Sequence, residues 1–170
     1  MEPVAVATTP RQLRALAHPL RLRLLGELRV AGPLTVGRLC DALDEAPGNV
    51  SYHLGVLAEF GFVVEVPDLA TDRRERWWRA AHATTHIDET DAATVPLRHQ
   101  VVEVYAAALH RAVDSGDTAG MSGDTVAVLD AAQLAEASGE LQAVLDKWAG
   151  VRGGEGAVPV QLIAHAFRRA

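Results

Sequence analysis

The stretch PGNVSYHLGVLAEFGFV, residues 47–63, decides how the first half of this 170-residue chain folds. Its initial proline suits the first turn of a helix, and Gly61 suits the position just after the last turn. At 100° per residue, Val50, Leu54 and Leu57 fall within one narrow arc. The stretch therefore predicts a short helix, pinned by one apolar stripe and followed by a strand.

The opposite face of this helix is unusual in a chain with a net charge of −6. Its outward-facing and flanking residues are Gly48, Asn49, Ser51, Tyr52, His53 and Gly55. Solvated helix faces usually carry Glu, Lys and Arg, whereas Glu59 is the only charged residue of this helix. A bare face of small, hydrogen-bonding residues suits close approach to another surface.

Three further helices are predicted before this one. Residues 9–12, Thr-Pro-Arg-Gln, have the form of a capping box and open a helix that ends before Pro19. The second helix, PLRLRLLGELRV, has an apolar face formed by Leu20, Leu24 and Leu28. Thr35 is a plausible N-cap for the third helix, VGRLCDAL.

A hairpin is predicted after the fourth helix. The apolar run FVVEV and the segment RWWRA flank a polar tip, PDLATDRRE. Trp77 and Trp78 point to opposite faces of the second strand, which places one of them in the core. Short helices followed by a hairpin, with the short connection DEAP between the third and fourth helices, are the order of a winged helix-turn-helix. The predicted fold class is α+β.

The second half of the chain differs in kind. A helix from Pro96 to about Val113 carries two apolar stripes, so both of its sides must be covered. The residues predicted to form a dimer interface on it are Leu97, Val101, Val104, Tyr105, Ala108 and Leu109. The segments DTVAVL and AVPVQLIAHAF are strand candidates, and a helix capped by Asp130 and Gln133 runs to Trp148 between them. We expect this mostly helical region to contain a short sheet.

Charge and cysteine content limit the function classes. Ten arginines balance ten acidic residues over positions 1–80, whereas positions 81–170 carry twelve acidic and six basic residues. Cys40 is the only cysteine, which excludes an internal disulfide or a cysteine-rich zinc site. No signal peptide and no apolar run of membrane-spanning length is evident, so we expect a cytoplasmic protein without a membrane partner.

Four segments in combination resemble the ArsR-type winged helix-turn-helix repressors of bacteria. They are LRALAHPLRLRLLGEL, LTVGRLCDAL, NVSYHLGVLAEFGFV and the hairpin that ends in RRERWWRA, and they cover about residues 9–82. The resemblance implies a dimer on a DNA operator, with the fourth helix in the major groove and the hairpin as the wing. Metal-sensing members often carry Cys-x-Cys in the third helix, where this chain has Thr35 and Gly37.

The resemblance and the bare helix face together give a set of candidate DNA-binding residues. They are Thr35, Gly48, Asn49, Ser51, Tyr52, His53, Arg73, Arg74 and Arg76. Asn49 can make the paired contact to adenine, His53 on the flank suits a phosphate, and the wing arginines suit phosphates or the minor groove. The alternative for the wing is an ordinary charged hairpin tip, in which Asp72 and Glu75 partly cancel the arginines. Strand alternation also leaves it open that Arg76 turns across to another strand.

Other chemistries have weaker support. His82 and His86 are four residues apart, and His99 shares a face with Glu103, but no constellation supplies the four donors of a closed zinc site. Neither a glycine-rich phosphate loop after a strand nor a nucleophile elbow is present, so we expect no enzyme activity, no metal and no cofactor.

The sequence thus predicts a homodimeric transcriptional repressor that a small-molecule effector releases from its operator. Residues 1–82 would form the winged helix-turn-helix domain, and residues 83–170 the dimerisation and possible effector region. Two alternatives stay open: a winged-helix module for protein–protein contact, and a metal-responsive repressor with an unrecognised site.

Overall fold

The computed structural model describes residues 2–7, 9–72, 75–87, 95–116 and 124–166, and it confirms the α+β class. In these ranges the helices are α1 (Pro10–Leu16), α2 (Pro19–Ala31), α3 (Val36–Leu43), α4 (Pro47–Glu59), α5 (Val95–Asp114) and α6 (Ala131–Trp148). The strands are β1 (Glu2–Ala7), β2 (Leu34–Thr35), β3 (Val63–Glu65), β4 (Trp77–Ala80) and β5 (His82–Ile87). The chain divides into two compact units, Met1–Val104 and Tyr105–Ala170.

The capping signals in the sequence correctly predict where the first helices begin. The Gln12 amide donates to Thr9 Oγ1 over 3.2 Å, and the Thr9 amide donates to Gln12 Oε1 over 3.1 Å, which completes the capping box. At the start of α3, the Arg38 amide donates to Thr35 Oγ1 over 3.3 Å. Asp44 ends α3 in the left-handed region, with φ of 52°, and so turns the chain toward α4.

A single apolar core joins α1 to α4 and the small sheet. Its most fully buried side chains are Leu13, Leu16, Leu24, Leu25, Leu28, Leu39, Val50, Leu54, Leu57 and Val63. The three residues of the predicted α4 stripe are all among them, which fixes the opposite face of α4 outward.

The predicted hairpin is present, and a third strand extends it. β4 pairs antiparallel with β3 on one side and with the two-residue β2 on the other, with Leu34 opposite Trp78. Trp78 is 4% exposed and belongs to the core, whereas Trp77 is half-buried, so the prediction that one of the two tryptophans is internal is confirmed. Arg73 and Arg74, at the tip, lie outside the described residues.

A second, two-stranded sheet was not predicted. β1 pairs in parallel with β5, with Val4 opposite Thr84. Arg29 of α2 ties β5 to the helices, because its Nε donates to the His82 carbonyl over 3.1 Å and its Nη2 donates to Thr85 Oγ1 over 2.6 Å. The pairing joins segments about eighty residues apart, so no local sequence pattern predicts it.

Helix α5 has the predicted extent, but its apolar stripes differ in burial. Val101 is 1% exposed and Val104 is half-buried, whereas Val102 and Leu109 are exposed. The prediction of Val101 as a dimer-interface residue is therefore wrong, because its own chain already covers this side chain.

The strands predicted in the second unit are wrong. Residues 124–130 and 151–166 form no strand, although the Asp130 capping box and α6 are present as predicted. Val126 and Val158 are exposed in these segments, and neither segment has a neighbouring strand in the described part of the unit. An alternating apolar pattern forms a strand only where another strand accepts its hydrogen bonds. None of the helices in the described ranges combines the length and the hydropathy of a membrane span.

Candidate nucleic-acid interface

The outer face of α4 presents the residues that the sequence singled out. Gly48, Asn49, Ser51, Tyr52 and Gly55 are all exposed, and the Tyr52 side chain is 66% accessible. The buried stripe on the other side holds the helix in place, so this face is displayed on a fixed element rather than on a loop. None of the five residues carries a charge at neutral pH.

The predicted flank position of His53 is wrong, because this side chain is only 6% exposed. Its ring lies 4.3 Å from that of His18 between centroids, and its Nδ1 lies 3.4 Å from Arg21 Nη1. On the helical wheel His53 is only about 40° from Leu57, at the edge of the apolar stripe, where α2 covers it. Burial lowers the pKa of His53, and the neighbouring His18 and Arg21 lower it further.

The His-Pro-x-Arg segment of the sequence joins three helices. His18 Nδ1 accepts from the Leu20 amide over 3.2 Å and so caps α2, which makes His18 a residue of the junction between α1 and α2. Arg21 donates through Nη2 to the Arg14 carbonyl over 2.6 Å and through Nε to the Ala15 carbonyl. Because the same guanidinium reaches His53, this cluster sets the position of α4 relative to α1 and α2.

Asn49 has a partner that was not predicted. Its Nδ2 donates to Glu45 Oε2 over 2.9 Å, and Glu45 Oε1 lies 3.5 Å from Arg23 Nη1. Arg23 is itself held by a 2.8 Å hydrogen bond from Nη2 to the Leu43 carbonyl, at the end of α3. Glu45 lies before the first residue of α4, so helical spacing does not reveal this pair in the sequence.

A shallow cleft of about 380 Å³ separates α4 from the wing. Its lining residues are Thr35, Val36, Gly37, Ser51, Glu75 and Arg76. The cleft therefore brings the N-terminus of α3, the outer face of α4 and the base of the hairpin to one place. Backbone N–H groups at a helix N-terminus favour an anion, and the cleft is open to solvent at this end.

Arg76 is not a free cation. Its Nε and Nη2 donate to the two carboxylate oxygens of Glu65 over 2.8 and 2.9 Å, and its guanidinium lies 4.8 Å from the Trp78 ring. This hydrogen bonding lowers the pKa of Glu65 and raises that of Arg76. Arg76 thus forms an ion pair with Glu65 of β3, one of the alternatives that strand alternation left open.

Arg38 lies beside the same cleft and was not predicted as a contact. It is exposed on α3, and its guanidinium carbon lies 5.2 Å from the centre of the Trp77 ring. The stacking holds the side chain along the protein surface while leaving its charge at the solvent boundary. Its position three residues after the N-cap Thr35 is a signal that was available in the sequence.

Residues 16–66 match the family model of a helix-turn-helix domain. The match runs from the end of α1 through α4 to the end of β3, and so includes the buried stripe, the connection between α3 and α4 and the bare outer face of α4. This region is a helix-turn-helix domain, a DNA-binding module of transcription regulators. No curated protein matches the chain.

The histidines do not form a metal centre within the described residues. His82 and His86 lie on β5, where a separation of four residues corresponds to about 13 Å along the strand. No three side chains of His, Cys, Asp or Glu come together in the described ranges as a metal site would need.

Proposed function

We propose that this protein is a sequence-specific DNA-binding transcriptional regulator of the ArsR type that acts as a homodimeric repressor. The observation that carries the proposal is the outer face of α4, which is exposed, uncharged and small while the inner face is fully buried. A major groove admits such a helix, and glycines at the contact allow its backbone to lie close to the groove wall.

Base reading is assigned to α4. Asn49 presents an amide to the base edges, and Ser51 and Tyr52 reach bases or the adjacent phosphates. Thr35 and the first turn of α3 face the cleft, where the helix N-terminus favours a phosphate. Arg38 supplies a cation at the same edge and is added to the candidate contacts.

The wing contributes phosphate contacts in this proposal. Arg73 and Arg74 stay candidates on the sequence alone, whereas Arg76 is paired with Glu65 and is left out. His53 is likewise left out as a direct contact, because it is buried against His18 and Arg21.

Homodimerisation is assigned to residues 83–170, with α5 as the interface. Its exposed apolar side chains include Val102, Leu109 and Val113, which are separated by seven and four residues and so share one face. Two copies of α4 about 34 Å apart would read a near-palindromic operator. An effector that favours another dimer geometry would release the DNA.

Fluorescence anisotropy on DNA from upstream of the gene tests the proposal at about 150 mM salt, because phosphate contacts make affinity steeply salt-dependent. We expect binding at least ~10³-fold tighter than to scrambled DNA. Asn49→Ala and Tyr52→Ala should each weaken the specific complex, whereas Gln161→Ala, an exposed amide outside the helix-turn-helix domain, should not.

Equal and weak binding to every fragment of a genomic pool would contradict the proposal. The acidic net charge of −6 then favours the second candidate, a winged-helix module that binds another protein. In that case Asn49→Ala would abolish capture of the protein partner instead.

A further inference from the structure

The inference concerns how Asn49 is oriented, and it rests on the proposed function. Asn49 is exposed on the outer face of α4, and its only side-chain hydrogen bond found among the described residues goes to Glu45. Glu45 lies just before the helix, is half-buried, and accepts from Asn49 Nδ2 over 2.9 Å. The contact joins the connection before α4 to the first turn of the helix, on the side that would meet DNA.

The chemistry of this pair permits one orientation of the amide. An ionised carboxylate only accepts hydrogen bonds, so the NH₂ group of Asn49 must face Glu45 and its carbonyl oxygen must face away. Asn49 therefore presents to its surroundings an acceptor and one remaining N–H. Without Glu45, rotation of the amide by 180° would exchange the acceptor for the donor at little cost.

Glu45 is held in place by Arg23. The Arg23 guanidinium lies 3.5 Å from the carboxylate and also donates to the Leu43 carbonyl at the end of α3. The pair is thus anchored to the end of α3 and to the connection between α3 and α4. A carboxylate at a DNA-facing helix repels phosphates, so its presence weakens general affinity.

We propose that Glu45 is a positioning residue that makes Asn49 select a base with an exocyclic amino group in the major groove. The outward carbonyl oxygen accepts from adenine N6 or cytosine N4, and the remaining N–H reaches adenine N7. Guanine and thymine present oxygen acceptors at the corresponding positions and leave the Asn49 carbonyl unpaired. Glu45 thereby lowers the affinity for DNA of any sequence and raises the selectivity among the four bases at one operator position in each half-site.

The test measures binding of the full chain to a set of operators in which each position carries all four bases in turn. In the wild type, one position per half-site should favour adenine or cytosine over guanine and thymine by about 10-fold or more, within the range of one good side-chain contact to a base. Asn49→Ala should remove the preference at that position and at no other.

Glu45→Gln keeps the size of the side chain but allows either orientation of the Asn49 amide. We expect the preference at the Asn49 position to fall below about 3-fold, while affinity for scrambled DNA rises because one negative charge is lost. Glu59→Gln is the matched control: it removes the same charge from an exposed residue of α4 that lies about 15 Å along the helix from Asn49. It should raise affinity for scrambled DNA equally and leave the preference intact.

Glu45→Asp separates geometry from charge. It keeps the carboxylate but shortens its reach, so the preference should relax while affinity for scrambled DNA stays at the wild-type value. Retention of the full preference in both Glu45→Gln and Glu45→Asp, with unchanged thermal unfolding, would overturn the inference. Absence of any base preference in the wild type would overturn the proposed function, and this inference with it.

Discussion

At the scale of single residues, substitution of the two glycines on the outer face of α4 should change stability and DNA affinity in opposite directions. A Cβ built on Gly48 or Gly55 meets no heavy atom within 4 Å, and both residues have ordinary helical backbone angles. Alanine at either position should therefore raise the free energy of unfolding by about 0.5–1 kcal/mol. The same methyl group would hold the helix away from the groove wall, so affinity for specific DNA should fall.

Gly26→Ala provides the control for this pair of substitutions. Gly26 lies within α2, and its Cβ would also meet open space. Urea unfolding should show a similar stabilisation in all three variants, while anisotropy should show weaker DNA binding only for those in α4. Unchanged DNA affinity in Gly48→Ala and Gly55→Ala would mean that the backbone of α4 does not approach DNA closely.

The buried His53 and the half-buried His18 predict that stability depends on pH. Burial lowers the pKa of both His18 and His53, and Arg21 lowers each of them further, with only Glu45 opposing. Above the ordinary pKa of 6.5 both rings are neutral whether the chain is folded or unfolded, so their contribution to stability is complete. As the pH falls below 6.5 the unfolded chain takes up protons first, and the free energy of unfolding should decrease.

Urea unfolding between pH 7.5 and 5.5 measures this effect above the range in which carboxylates titrate. Substitution His53→Phe keeps an aromatic ring against His18 but cannot be protonated, and it should flatten the dependence. His110→Gln, at an exposed position of α5, should leave the slope unchanged. A slope that is equally steep in His53→Phe and in the wild type would contradict the prediction.

At the scale of elements, the wing has a cross-strand ion pair where a DNA contact was predicted. Glu65 and Arg76 are both partly exposed, so the pair contributes at most about 1 kcal/mol to stability. Arg76→Gln should therefore leave DNA affinity close to that of the wild type. Glu65→Gln should free the guanidinium, strengthen DNA binding and steepen its salt dependence by about one ion. A large loss of affinity in Arg76→Gln would restore Arg76 as a direct contact.

The elements that were predictable are those whose signals are local. Caps and apolar stripes predict α1 to α4, and the alternating pattern beside a polar tip predicts the hairpin of β3 and β4. The parallel pairing of β1 with β5 was not predictable, because it depends on segments that meet only in the folded chain. The strand candidate at 124–129 shows the converse: the pattern is present, but no strand among the described residues pairs with it.

The candidate site divides in the same way. Helical periodicity correctly predicts that Asn49, Ser51 and Tyr52 face outward. It does not predict that α2 covers His53, or that Glu65 neutralises Arg76, because both facts depend on what a neighbouring element carries. The burial and contacts of a side chain at the edge of an apolar stripe thus depend on the neighbouring elements. The burial of a side chain at the centre of the stripe follows from the sequence.

At the scale of the whole molecule, charge and apolar exposure point to different tasks for the two halves. The first 80 residues are neutral in sum, so arginines placed near α4 can attract DNA, whereas the acidic remainder disfavours loose contact with any polyanion. Specificity in a genome depends on the ratio of specific to non-specific affinity, and an acidic second half raises that ratio. The exposed apolar face of α5 is the feature that charge does not explain.

A substitution on that face tests whether two chains associate through α5. The Leu109 side chain is 52% exposed, although contact with water does not stabilise an apolar side chain. Leu109→Lys should convert a dimer to a monomer in sedimentation velocity, while the far-ultraviolet circular dichroism stays that of a folded chain. Val126→Lys, which changes a valine that is 65% exposed outside the helices, should leave the mass unchanged. A monomer can place only one copy of α4 in the groove. Leu109→Lys should therefore bind a full operator no more tightly than a half-site. If the monomeric variant still preferred the full operator as strongly as the wild type does, specificity would not depend on pairing through α5.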